Sequence, residues 1–182
     1  MDRVKERLRT GQEDAEMLAS IKQSEIDELV DAILAAKRIF VAGWGRAGNY
    51  VKILSMNCSQ IGLDTHIVGD NSTPAITAED LLVIGSGSGK TKTMAIIARQ
   101  CKEHGAKLAL ISENGADSLI GKMADVNVVI PRKNYMSPDM PAASGGSFYH
   151  VMVQLVDLVR VYLCDVMGVT NADIVKNHNN LE

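Results

Sequence analysis

The chain has little cysteine, no excess of positive charge and no long apolar run. Lys and Arg number 19 against 22 Asp and Glu, a net charge of -3. Nucleic acids and anionic membranes are held through a basic field, so neither is expected as a partner. A local site for a small anion needs no such excess. Cys58, Cys101 and Cys164 are odd in number, far apart and without a CxxC spacing. That pattern points away from a disulfide scaffold and toward a reduced, cytoplasmic protein. All three fall in helical patterns and read as small buried hydrophobes. No apolar stretch approaches the roughly 20 residues that span a bilayer. The charged start, from Met1 to Arg7, lacks an apolar core, so no signal peptide is expected. Nowhere do His, Cys, Asp and Glu take metal-ligand spacing, and no solenoid-length repeat is visible.

What is present is enough for one core. Of 182 residues, 46% are hydrophobic and 23% charged, which fits a single globular domain over residues 1–182. Helical periodicity runs through residues 3–22 and 24–37, with Ser24 as an N-cap candidate. Short apolar runs at 38–43, 65–68, 81–85, 107–111 and 126–130 read as strands. Helices are expected between them at 47–61 and 91–104, with a shorter one at 118–123. Residues 131–146, with Pro131, Pro138 and Pro141, read as a long loop carrying Met136 and Met140. A helix over 147–167, apolar almost all round, and a short C-terminal element to residue 182 complete the chain. Apolar on so many faces, the 147–167 helix must be buried, and a subunit interface is a natural place for part of it. Five strands separated by helices imply right-handed βαβ units. The expected fold is therefore a doubly wound three-layer α/β/α sandwich with a five-stranded parallel sheet, binding its ligand beyond the carboxyl ends of the strands.

Two turns lie at those ends. Gly43, Gly45 and Gly48 form a GxGxxG after the first strand. A dinucleotide site would also want an acid closing the second strand. Asp64 precedes that strand and Asp70 comes late, so a tight glycine turn or another kind of ligand loop competes with that reading. After the third strand come Ser86, Gly87, Ser88, Gly89, Lys90 and Thr91. Glycines let successive N–H groups converge, a helix N-terminus adds a positive dipole end, and three hydroxyls add donors. The combination suits a phosphate monoester, and the GxxxxGK[ST] spacing of a P-loop is absent. The competing reading is a solvated turn with Thr91 as an N-cap.

The two turns in this order resemble the sugar isomerase (SIS) domain family. The resemblance extends to the 6-phospho-3-hexuloisomerases through Gly43, Gly45 and Arg46, His66 to Gly69, Thr73 and Pro74, Asp80 and Leu81, the 86–91 turn, and the tail from His178 to Glu182. It implies a 6-phosphohexulose as substrate, interconversion with fructose 6-phosphate, no metal or organic cofactor, and a homodimer or homotetramer. Gly45, Arg46, Ser86, Gly87, Ser88 and Thr91 would bind the substrate. Arg46, Tyr149, His150 and His178 are the catalytic candidates, the tail of one subunit reaching a neighbour's site.

Moving a carbonyl along a sugar requires a base near neutral pKa, a donor for the enediolate oxygen and a phosphate anchor. The family carries a Glu early in the penultimate helix. Here that position falls on Tyr149 or on His150, depending on register. Imidazole titrates near pH ~6.5 and phenol near ~10, so the choice matters chemically. Ala47 stands where the family usually has Ser. A phosphosugar-binding module without turnover, and an isomerase of another phosphosugar, are the alternative readings. Among the remaining candidates, Glu113 closes the fourth strand, His66 lies in a strand, and His104 suits a helix C-terminus.

Overall fold

The computed structural model describes residues 3–131 and 147–181. In chain order the elements are α1 (Arg3–Ala19), α2 (Gln23–Ala35), β1 (Ile39–Gly43), α3 (Gly45–Gln60), β2 (Thr65–Ile67), β3 (Leu81–Gly85) and α4 (Lys92–Glu103). These are followed by β4 (Lys107–Ser112), a 3₁₀ turn (Gly115–Asp117), β5 (Val126–Val129), α5 (Phe148–Met167) and α6 (Asn171–Asn177). The strands pair β2-β1-β3-β4-β5, every pair parallel. The three-layer α/β fold expected from the sequence is the fold observed.

Strand side chains alternate between two cores. Ile39, Val41, Leu81, Val83, Ala109, Ile111, Val126 and Val128 face the layer built by α2, α3 and α5. Phe40, Ala42, Leu82, Ile84, Leu108 and Leu110 face α4 and the segment around Ile120. β3 is central and buried at every position, which is why it reads as an unbroken apolar run. Each large side chain buried there contributes about 1.5–3 kcal/mol. Helix α5 buries Val151, Met152, Leu155, Val156, Val159 and Leu163, while Leu158, Val161 and Val166 remain exposed. It is therefore amphipathic in the single chain rather than covered all round. No helix among the described residues is long and apolar enough to cross a membrane.

Local boundaries depart from expectation where side chains compete with the backbone. Helix α2 starts at Gln23 after Lys22, without a side-chain cap, and Ser24 lies inside its first turn. Residues 118–123 form turns rather than a helix. Ser118 Oγ accepts from the Gly121 N–H at 3.0 Å and donates to the Gly115 carbonyl at 2.7 Å, offering the backbone a non-helical arrangement. Helix α3 begins two residues early, at Gly45, which places Arg46 on helix. Nearly all of the long loop, with Met136 and Met140, lies outside the described residues.

Candidate functional site

The carboxyl ends of β1 and β3 lie side by side, with Gly43 in register with Gly85. From there the chain turns onto α3 on one face and α4 on the other, opening a crevice between the two turns. The first turn is set by close packing. A Cβ on Gly43 would stand 2.7 Å from the Gly48 Cα, and one on Gly48 would stand 2.5 Å from the Gly43 carbonyl oxygen. Strand end and helix start cross in contact, so those two glycines of the GxGxxG are required sterically. Between them Gly45 has φ +58°, and Arg46 and Trp44 project outward, Trp44 being 74% exposed.

The 86–91 turn is held from beneath. The Ser86 N–H donates to the Ile111 carbonyl at 3.1 Å and the Glu113 N–H to the Gly87 carbonyl at 2.9 Å. Asn114 Nδ2 donates to the Ser88 carbonyl at 3.3 Å. Gly89 takes φ +62° to close the turn. Ser86 is buried, and its Oγ lies 3.2 Å from Thr91 Oγ1. Thr91 occupies the N-cap position of α4 but makes no side-chain cap bond; its hydroxyl pairs with Ser86 instead. Ser88 Oγ accepts from the Lys90 N–H at 3.2 Å, leaving its own proton to donate. The first N–H groups of α4 have no intrahelical acceptor. Hydroxyls and a helix start thus converge on one small region, the arrangement that binds phosphate.

The third wall is the first turn of α5. Ser147 caps it, accepting from the Tyr149 N–H at 3.3 Å. Phe148 packs against the 86–91 turn, its ring about 3.5 Å from where a Gly87 Cβ would stand. The Arg46 guanidinium lies over the Tyr149 ring, 4.1 Å from its centroid, a cation–π contact. His150, about 100° further round the helix, meets α1 instead. Its Nδ1 lies 3.1 Å from Asp14 Oδ2, and its Nε2 lies 3.3 Å from Arg7 Nη2. Of the two registers open in the sequence, Tyr149 faces Arg46 and His150 faces Asp14.

His178 sits elsewhere. It caps α6 and is exposed, and Asn177 beside it donates to the Gln60 carbonyl at 3.3 Å. That is the far end of α3, whose 16 residues span about 24 Å. Within one chain His178 is thus remote from Arg46. His66 lies 3.1 Å from Asp64 and stacks near Phe40, and His104 is the C-cap of α4. Burial pushes the Cys58 thiol up to about 12 and the Cys101 thiol up to about 11. Both are buried apolar groups rather than nucleophiles.

On the β2 side of the same turn, a cleft of about 610 Å³ is lined by Trp44, Gly45, Asn49, Lys52, Gly69 and Thr93, among others. Asn49 and Lys52 belong to neither glycine motif of the sequence. Their spacing from Gly45 and Gly48 on one face of α3 was the signal that would have found them.

A switch-point crevice beside a hydroxyl-rich turn at a helix start suits a small phosphorylated ligand. The chain belongs to the SIS domain family, whose pattern matches residues 32–156. It is 33% identical over 171 residues to the 3-hexulose-6-phosphate isomerase of Mycobacterium gastri, spanning 92% of this chain and 85% of that one. The enzyme of the same name from Bacillus subtilis is 33% identical over 168 residues, covering 90% of each chain. A hypothetical protein of Methanococcus jannaschii, whose crystal structure infers a molecular function of 3-hexulose-6-phosphate isomerase, superposes with TM-score 0.85 at 26% identity. That match covers 97% of this chain and 99% of the other.

Proposed function

We propose that the chain is a phosphosugar isomerase interconverting a 6-phospho-3-hexulose and fructose 6-phosphate through an enediolate. The observation that carries this reading is the convergence of the 86–91 turn, Arg46 and the first turn of α5 on one crevice, in a chain whose relatives of near-equal length bear that activity's name. The phosphate sits on Ser86, Ser88, Thr91 and the Gly87 N–H, at the start of α4. The carbon chain runs from there toward Gly45 and Arg46. Removing the proton from C2 beside the C3 carbonyl forms a 2,3-enediolate; returning it to C3, with the O2 hydroxyl proton passing to O3, leaves the carbonyl on C2. The Arg46 guanidinium stabilises the enediolate oxygens. The Tyr149 hydroxyl hydrogen-bonds the sugar oxygens beside it. Proton transfer at carbon falls to His150, whose Nδ1 is held by Asp14 at 3.1 Å and whose Nε2 has to exchange Arg7, 3.3 Å away in the free chain, for the substrate.

The remote position of His178 and the exposed Leu158 and Val161 support an assembly of two or four copies, in which the tail of one chain serves a neighbour's crevice. Three free thiols suit a reducing cytoplasm.

A second reading has one observation in its favour. The side chain facing Arg46 is the phenol of Tyr149, which suits binding without turnover. Incubation with 6-phospho-3-hexulose, following fructose 6-phosphate, separates the two. Turnover that a His150→Ala variant loses is the expected result. Phosphosugar binding without turnover would overturn the isomerase reading in favour of a sensing module.

A further inference from the structure

Asp14 lies on α1, remote in sequence from every motif, and is 3% exposed. One carboxylate oxygen accepts from the Ser147 N–H at 2.7 Å, and the other lies 3.1 Å from His150 Nδ1. Both partners belong to the first turn of α5, the turn that sets Phe148 against Gly87 and Tyr149 over Arg46. Arg7 Nη2, also on α1, lies 3.3 Å from Nε2 of the same imidazole. A buried carboxylate with both oxygens committed to one helical turn fixes where that turn starts and how it is rotated. A rotation of one residue would carry Tyr149 off Arg46 by about 100°.

We propose that Asp14 is a positioning residue of the phosphosugar site: its two bonds to Ser147 and His150 hold the first turn of α5 in place and orient the imidazole. The proposal rests on the isomerase reading given above. It makes α1, which contributes no substrate contact of its own, a working part of the site.

The test uses the full chain with Asp14→Ala, Asp14→Asn, His150→Ala and the Asp14→Ala/His150→Ala double variant. Turnover of 6-phospho-3-hexulose is measured well below each variant's melting temperature, so that only folded protein is compared. Trp44, the chain's single tryptophan, stands in the β1–α3 turn, and its fluorescence reports fructose 6-phosphate binding. The expected result is a kcat at least about tenfold lower for Asp14→Ala, a smaller loss for Asp14→Asn, which keeps one acceptor, and a double variant no slower than His150→Ala. Wild-type kcat and KM in folded Asp14→Ala, or losses that multiply in the double variant, would overturn the proposal. Should Asp14→Ala fail to fold, Asp14→Asn decides by the same readings. If the wild type does not turn over, the isomerase reading fails by itself. Asp14 is then judged by the Trp44 titration, where weaker fructose 6-phosphate binding in the variant upholds the clamp and an unchanged Kd overturns it.

Discussion

At the residue scale, the 86–91 turn combines two kinds of requirement. Gly89 is there for a backbone conformation, and Ser86, Ser88 and Thr91 supply the hydroxyls that the proposed phosphate site uses. Because the Ser86 and Thr91 hydroxyls are paired with each other, removing either one also unsettles its partner. Hydrogen bonds to a charged group contribute about 1.5–3 kcal/mol. Ser86→Ala and Thr91→Val are therefore each expected to weaken phosphosugar binding about tenfold or more, as read by Trp44 fluorescence. The same variants should leave the melting temperature within a few degrees. The thiols make a separate test. With Cys58 and Cys101 held up at about 12 and about 11, a thiol reagent at pH 8 should leave both unlabelled in the native protein and modify them once it is unfolded.

At the scale of elements, the crevice exists because β1 and α3 cross in contact. Gly48→Ala would drive a methyl into the Gly43 carbonyl. Overpacking of this kind costs about 1–3 kcal/mol. A lower denaturation midpoint, together with weakened phosphosugar binding, is the expected outcome, because Arg46 leaves the same turn. The opposite end of the sheet is tied by an ion pair. Arg38 donates to both oxygens of Asp80, at 3.0 and 2.7 Å, and to the Ala75 carbonyl at 2.9 Å. Asp80 also accepts from the N–H and hydroxyl of Thr77. Burial alone would raise the Asp80 carboxyl, but Arg38 and Thr77 outweigh it and hold it down at about 2. An aspartate depressed in the folded state stabilises the fold above its ordinary value of about 4, and that stabilisation is lost as the pH falls from there toward 2. The wild type should lose about 2 kcal/mol across this window relative to Asp80→Asn, measured by denaturation at pH 5 and pH 2.5. The aspartate that helped carry the family resemblance thus serves the fold, at the end of the strands away from the crevice.

At the scale of the whole molecule, one chain brings the 86–91 turn, a guanidinium and the first turn of α5 to one place, and leaves His178 about one helix length away. A site shared between copies is consistent with that separation. Arg46→Ala and His178→Ala proteins, each inactive alone, should regain turnover when refolded together, since one crevice of a mixed pair has both residues intact. Mixtures that remain inactive would remove His178 from the chemistry.

The sequence by itself determined the sheet and the place of the Ser/Gly turn. Five apolar runs carry the period of buried parallel strands, and the Ser/Gly turn follows β3 directly, so local pattern sufficed for both. It also determined that Gly43 and Gly48 had to be small, though not whether a ligand or a helix required it; the contact between strand end and helix start supplies that answer. The facing of Tyr149 and His150 was out of reach, because one residue of register rotates a helix by about 100° and the long loop before α5 leaves that register unmarked. Only the tertiary structure decided it, through Asp14, a residue more than a hundred positions away whose buried carboxylate satisfies Ser147 and His150 together.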